Sequence, residues 1–154
     1  MGQVGATIFP PTQVVPNVGS AESCVQNWWR QPFFKSTATQ KQYTIRQSVN
    51  CKSDWVIYLG TCLKCKGQYV GKSKTVMKVR HSNHKQEIKK QLGGLGHHYG
   101  GPVGCGYENL TLTIIEQIEE KTLENLADRE LYWQHQLRVY IENGYRNHCR
   151  KKEM

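Results

Sequence analysis

The sequence predicts an α+β domain, a small three-stranded antiparallel sheet flanked by helices in the order ββαβα. Three observations carry this prediction. Two short β-rich runs, Trp55–Leu59 and Gln68–Gly71, lie either side of the turn-like Cys62-Leu-Lys-Cys65-Lys-Gly67, which reads as a hairpin. Leu110–Ile115 alternates apolar and polar residues, the pattern of a half-buried strand. Two longer segments space their apolar residues at helical intervals and end at glycine.

The first helix is expected over residues 75–92, a stretch without proline or glycine that ends at Gly93-Gly94. Val76, Val79 and Ile88 are its apolar markers, and Arg80 and His84, one turn apart, share a face with Val76 and Ile88. The second helix is expected from an N-cap at Thr122 to about Glu142, closed by Asn143-Gly144, residues that suit a left-handed cap. On it Leu123, Leu126, Glu130, Trp133 and Leu137 form one stripe, with a carboxylate in its middle. A buried glutamate needs a charged partner or a metal, and spacing alone leaves both open.

Composition sets outer bounds. The chain has 154 residues, 21 Lys plus Arg against 12 Asp plus Glu, and a net charge of +9. No run approaches the ~20 apolar residues of a bilayer span, and Met1–Pro16 lacks the basic start and apolar core of a secretion signal. A membrane protein is therefore excluded, and the six cysteines read as metal ligands or free thiols before disulfides. Residues 1–42, uncharged as far as Ala21 and containing Pro10, Pro11, Pro16 and Pro32, read as a flexible lead-in or linker. Trp28, Trp29, Phe33 and Phe34 within it are either an interface patch or a segment folded back on the domain. The domain itself is expected over residues 43–149, with a basic tail over 150–154.

The charge is not spread evenly. Residues 61–90 hold nine lysines and arginines against the single acid Glu87, a net of +8, whereas residues 116–130 hold six acids against Lys121 and Arg129. A basic face beside an acidic one points to a phosphate-binding surface, with Lys72, Lys74, Lys78 and Lys85 as candidate contacts.

Val56-Ile57-Tyr58, Tyr69-Val70-Gly71, Arg80 with His84, Glu130 on a helix and Asn147 resemble the GIY-YIG endonuclease family in order and spacing. The resemblance covers residues 54–147. Val56 stands where the name-giving glycine is expected and Val70 replaces the isoleucine, both apolar strand positions that carry no reactive group. The resemblance implies the GIY-YIG nuclease fold and a site with Tyr58 and Tyr69 near the attacking water. It puts Arg80 on the scissile phosphate, His84 in proton transfer, Glu130 on one Mg2+ (or Mn2+), and Asn147 completing the site. Lys72 matches a lysine of several family members.

These residue types suit phosphodiester hydrolysis. Arg80 offers a planar fork of donors to phosphate, and a divalent ion on Glu130 neutralises developing charge. A tyrosine base, with a free pKa of ~10, requires a nearby cation to lower it; Arg80, Lys72 or the metal is expected to do so. One carboxylate implies one metal, and one site per chain implies a nick in double-stranded DNA.

Cys62-x-x-Cys65 has the spacing of a zinc knuckle. His98 and Cys105 flank a glycine-rich stretch able to wrap back to it, with His97 or Cys51 as substitutes for the fourth ligand. Cys24, Cys51 and Cys149 read as free thiols. The insertion is similar to that of the Penelope-like retroelement nucleases, which implies structural Zn2+, a nick that primes reverse transcription, a reverse transcriptase domain as partner in the parent protein, and a reducing nuclear setting. The competing expectation is a zinc-stabilised nucleic-acid-binding module without cleavage.

Overall fold

The computed structural model describes residues 31–139. Within them the first element is not a spacer. Strands β1 (Phe33–Lys35) and β2 (Gln42–Thr44) pair antiparallel with Phe34 opposite Tyr43, so the expected domain boundary after residue 42 falls inside a hairpin. The reason is aromatic packing. Phe34 is buried, stacks on Tyr43 at 5.3 Å and meets Trp133 edge-on at 5.3 Å, and Ser36 Oγ donates to the Leu137 carbonyl at 2.9 Å. Trp28 and Trp29 lie outside the described residues.

The domain is α+β, as its alternating strand and helix patterns predict. Strands β3 (Val56–Cys62), β4 (Gln68–Ser73) and β5 (Leu110–Gln117) form one antiparallel sheet in the order β4-β3-β5. β3 is central and apolar on both sides, because the sheet carries a core on each face. One core gathers Val56, Tyr58, Leu112 and Ile114 with Met77, Ile88 and Tyr99. The other gathers Ile57, Leu59, Val70 and Ile115 with Phe34, Leu126 and Leu137. The period-two alternation of β3 feeds both.

Helix α1 (Met77–Lys90) packs on the first face through Met77, His81, His84 and Ile88, a spacing of one to two turns. Two of these four are histidines, and Val79, expected on the apolar side, is exposed. The face is nonetheless satisfied: the Tyr58 hydroxyl lies 2.6 Å from His84 Nε2 and the Tyr107 hydroxyl 2.8 Å from His81 Nε2. Gln91 caps α1 in the left-handed region. A short helix α2 (Gly93–Tyr99) follows where only a stop and a loop were expected, and its first residue, Gly93, takes φ +69°.

Helix α3 (Leu123–Leu137) covers the second face. The Thr122 side chain accepts from the Asn125 amide at 3.1 Å, the predicted cap. The helix ends at Leu137, five residues before the expected Glu142, because Arg138 turns left-handed at φ 56° and its amide bonds back to the last turn. Leu126 and Leu137 are buried, whereas Leu123 is exposed and drops out of the expected stripe. No helix among the described residues is long and apolar enough to cross a membrane.

Candidate active site and metal centre

Strand pairing brings the two tyrosines together. In the β3–β4 ladder Tyr58 stands opposite Gly71 and Gly60 opposite Tyr69, so both tyrosines project from the same face, each beside a glycine. Their ring centroids are 6.3 Å apart, and the two hydroxyls share a hydrogen bond. Arg80 and His84 reach the pair from α1. Arg80 Nε donates to the Tyr58 oxygen at 3.3 Å, and His84 Nδ1 faces Glu87 Oε1 at 2.9 Å.

The protonation pattern follows from chemistry. A carboxylate only accepts, so His84 carries its hydrogen on Nδ1 toward Glu87. Burial holds the His84 pKa below its ordinary value, against the pull of Glu87, so the ring is neutral at pH 7 and Nε2 is an acceptor. Tyr58 therefore donates to His84. Its oxygen accepts from Arg80 and from Tyr69, whose hydroxyl is the donor in that pair.

Both phenols are raised rather than lowered, which corrects the expected effect of nearby cations. Tyr58 is fully buried, and desolvation pushes its pKa well above the phenol range despite Arg80. Burial raises Tyr69 as well; Arg80 pulls it down while Glu130 and Glu87 push it up. Burial outweighs one half-exposed guanidinium. For Arg80, burial works against the charge, but Tyr58, Glu87 and Tyr69 more than compensate and its pKa is raised. Tyr69, Arg80, His84 and Glu87 line a cleft of roughly 260 Å3 whose far wall is Leu92–Leu95.

Glu130 enters from the other face of the sheet. Lys72, beside Gly71 on the edge strand β4, bonds Glu130 Oε1 at 2.7 Å. The Glu130 side chain is 18% exposed, and its field reaches Tyr69 across β4. The sequence left open whether that carboxylate had a charged partner; it does, the Lys72 ammonium. Lys72 is accordingly a partner of Glu130 rather than a free phosphate contact. Lys74 is exposed and Lys78 half-buried, while Lys85 Nζ sits 5.7 Å from the Tyr107 ring centroid. Asn147 lies outside the described residues.

Glu130 offers a single carboxylate with Oε1 held by Lys72 at 2.7 Å, whereas Mg2+ or Mn2+ would take one or two protein carboxylates and complete its shell with water and phosphate oxygens.

The second centre lies at the hairpin turn. Ligand atoms of Cys62, Cys65, His98 and Cys105 all fall within 4.8 Å of one another, and all four residues are buried, a Cys3His cluster compatible with structural zinc. Its geometry is built locally. Cys65 N donates to Cys62 Sγ at 3.5 Å and Gly67 N to Cys65 Sγ at 3.4 Å, while Lys66 makes the turn with φ 68°. His98 Nε2 is 3.6 Å from Cys65 Sγ, and Cys105 N bonds the His98 carbonyl at 2.8 Å. His97, the alternative ligand, is exposed and bonds the Gly93 carbonyl at 2.7 Å.

Cys51 and Cys105 are both disulfide-bonded, which corrects the expectation of a free Cys51 thiol. The loop before β3 carries Cys51 into the core, where its carbonyl accepts from the Lys78 amide at 2.8 Å. Oxidation and metal binding exclude each other at Cys105, because a disulfide sulfur has no thiolate charge to donate. Cys105 completes the Cys3His set in its reduced form. Cys24 and Cys149 lie outside the described residues.

Sequence reasoning missed Glu87 and the His81–Tyr107 pair. Glu87 had one usable signal, its position three residues after His84 on the same helix. No protein-family model, curated protein or solved structure matches this chain.

Proposed function

We propose that this chain is a metal-dependent DNA endonuclease of the GIY-YIG type, which hydrolyses one phosphodiester bond and leaves a nick. The observation that carries the reading is the convergence of Tyr69, Arg80 and His84 on one cleft, with Tyr58 buried behind them and bonded to Arg80 and His84, and with Glu130 acting on Tyr69 from across the edge strand. These residues are separated by up to 72 positions in the sequence and come from both faces of the sheet, so helix or strand periodicity alone does not account for their meeting.

In the proposed mechanism the duplex backbone lies along the basic edge formed by β4 and α1, where Lys74, Lys78 and Lys85 supply positive charge. Arg80 uses Nε to hold Tyr58 and turns the rest of its guanidinium to the scissile phosphate. Tyr69 stands in the cleft where an attacking water would lie, and Tyr58 links it to His84. Glu130 would hold the divalent ion, which when bound acts as a Lewis acid on the phosphate. Zinc at Cys62, Cys65, His98 and Cys105 is scaffold only. The same resemblance supports a role in nicking target DNA for retroelement insertion, next to a reverse transcriptase domain in a nuclear parent protein.

The deciding experiment incubates supercoiled plasmid with purified chain and Mg2+, wild type against Glu130→Ala. Nicking by the wild type alone supports the reading, and equal inactivity of both sinks it. One observation favours the competing module that binds without cutting: Lys72 already neutralises Glu130 without a metal. That module predicts salt-sensitive DNA binding with no turnover.

A further inference from the structure

The hydrogen bonds around His84 all point one way. Tyr58 donates to His84 Nε2 at 2.6 Å and His84 Nδ1 donates to Glu87 Oε1 at 2.9 Å, so the one hydroxyl hydrogen of Tyr58 is committed to His84 and its oxygen is left to accept from Tyr69. The direction of the whole chain is set by its inner end, since Glu87 is the one member able only to accept. With Nδ1 of a neutral ring lacking that acceptor, imidazole in water favours the other tautomer, Nε2 would become the donor, and Tyr58 would reverse.

We infer that Glu87 is a positioning residue, fixing the His84 tautomer so that a proton entering at Tyr69 in the cleft can pass through Tyr58 to His84 Nε2. The inference rests on the nuclease reading for its chemistry but not for its geometry. In the step itself the attacking water gives a proton to the Tyr69 oxygen, Tyr69 gives its own to Tyr58, and Tyr58 gives its own to His84. The water oxygen is left as the nucleophile, both phenols end neutral, and the imidazolium formed on His84 faces the Glu87 carboxylate. No phenolate accumulates, which suits two tyrosines whose ionisation is suppressed by burial. The groups around His84 are Tyr58 from β3, Tyr69 from β4, and Arg80, His81 and Glu87 from its own helix; His81 is neutral at pH 7, and the Arg80 cation and the Glu87 carboxylate oppose each other.

The test has two readouts on the full chain. Nitrogen-15 NMR of the imidazole reports the tautomer whether or not the protein cuts DNA. The wild type should show His84 protonated at Nδ1, Glu87→Gln should keep that tautomer through its amide oxygen, and Glu87→Ala should lose it. A wild-type ring protonated at Nε2, or an unchanged tautomer in Glu87→Ala, overturns the inference. In the nicking assay Glu87→Gln, which keeps orientation but removes the charge, should slow the single-turnover rate on the order of 100-fold with DNA affinity unchanged. A wild-type rate for both variants overturns the inference in a chain that nicks. If the wild type does not nick while the tautomer pattern holds, the nuclease reading fails and the positioning role of Glu87 stands.

Discussion

Gly71 lies against the hydroxyl end of Tyr58. A Cβ built at Gly71 would stand 2.5 Å from the Tyr58 Cζ and hydroxyl oxygen and 2.8 Å from Tyr69 Cε2. The glycine after Tyr69-Val70 is therefore a matter of volume: both phenols occupy the space a side chain would need. Gly71→Ala should lower the unfolding free energy by about 1–3 kcal/mol, the usual cost of overpacking, read from urea denaturation. It should also break the Tyr58–His84 bond, so nicking should fall by more than the lost stability explains.

Metal content should follow the oxidation state of Cys105. Protein kept in reductant and purified without chelator should carry one zinc per chain, and protein oxidised to its disulfide form should carry less. Cys62→Ser should lose the ion under both conditions. His97→Ala should keep it, because that ring turns to the Gly93 carbonyl.

The Lys72–Glu130 pair should matter more to metal binding than to stability. Its side chains are 43% and 18% exposed, a geometry in which an ion pair contributes at most about 1 kcal/mol. Lys72→Met should therefore melt within a few degrees of the wild type. Mn2+ affinity, measured by electron paramagnetic resonance, should rise because the ion no longer competes with an ammonium group. An unchanged Mn2+ affinity would speak against Glu130 as the ligand.

Acid should destabilise the fold through its two buried histidines. Burial first, then the charges of His84 and Lys85, hold His81 down to about 4, and burial lowers His84 as well. In the unfolded chain both titrate near ~6.5. Between these values the unfolded state binds more protons than the folded state, so stability is full above ~6.5 and is lost as pH falls toward 4. The His81 share amounts to about 3 kcal/mol at most. Denaturation midpoints measured from pH 7 to pH 4.5 should fall, and His81→Gln should flatten the curve.

The strands and both main helices were legible because the sheet carries two cores, and its apolar periodicity survives in the sequence. The Cys3His set was legible for a different reason: ligand chemistry restricts residue type. What stayed hidden involved polar groups that are buried only because of a distant partner. His81 on α1 reads as surface until Tyr107, 26 residues on, is placed beside it. The direction of the phenol shifts was misjudged for a related reason, since charges are visible in a sequence and desolvation is not. The short N-terminal hairpin depends on Trp133 and Leu137 a hundred residues away, so local composition favoured a spacer.

The metal knuckle lies at the only turn that joins the strands of the two tyrosines. Cys62 is the last residue of β3, with five residues between it and the start of β4, and Cys62 N bonds the Gly67 carbonyl at 2.9 Å. A slip of β4 by one position against β3 would send Tyr69 to the opposite face and bring Val70 into the cleft. Two thiolates tied to one ion, Cys62 at the end of β3 and Cys65 within the turn, fix the shape of the turn and so oppose that slip. Zinc would thus act as a strand-alignment pin, and stripping it would turn Tyr69 out of the cleft even in molecules that stay folded.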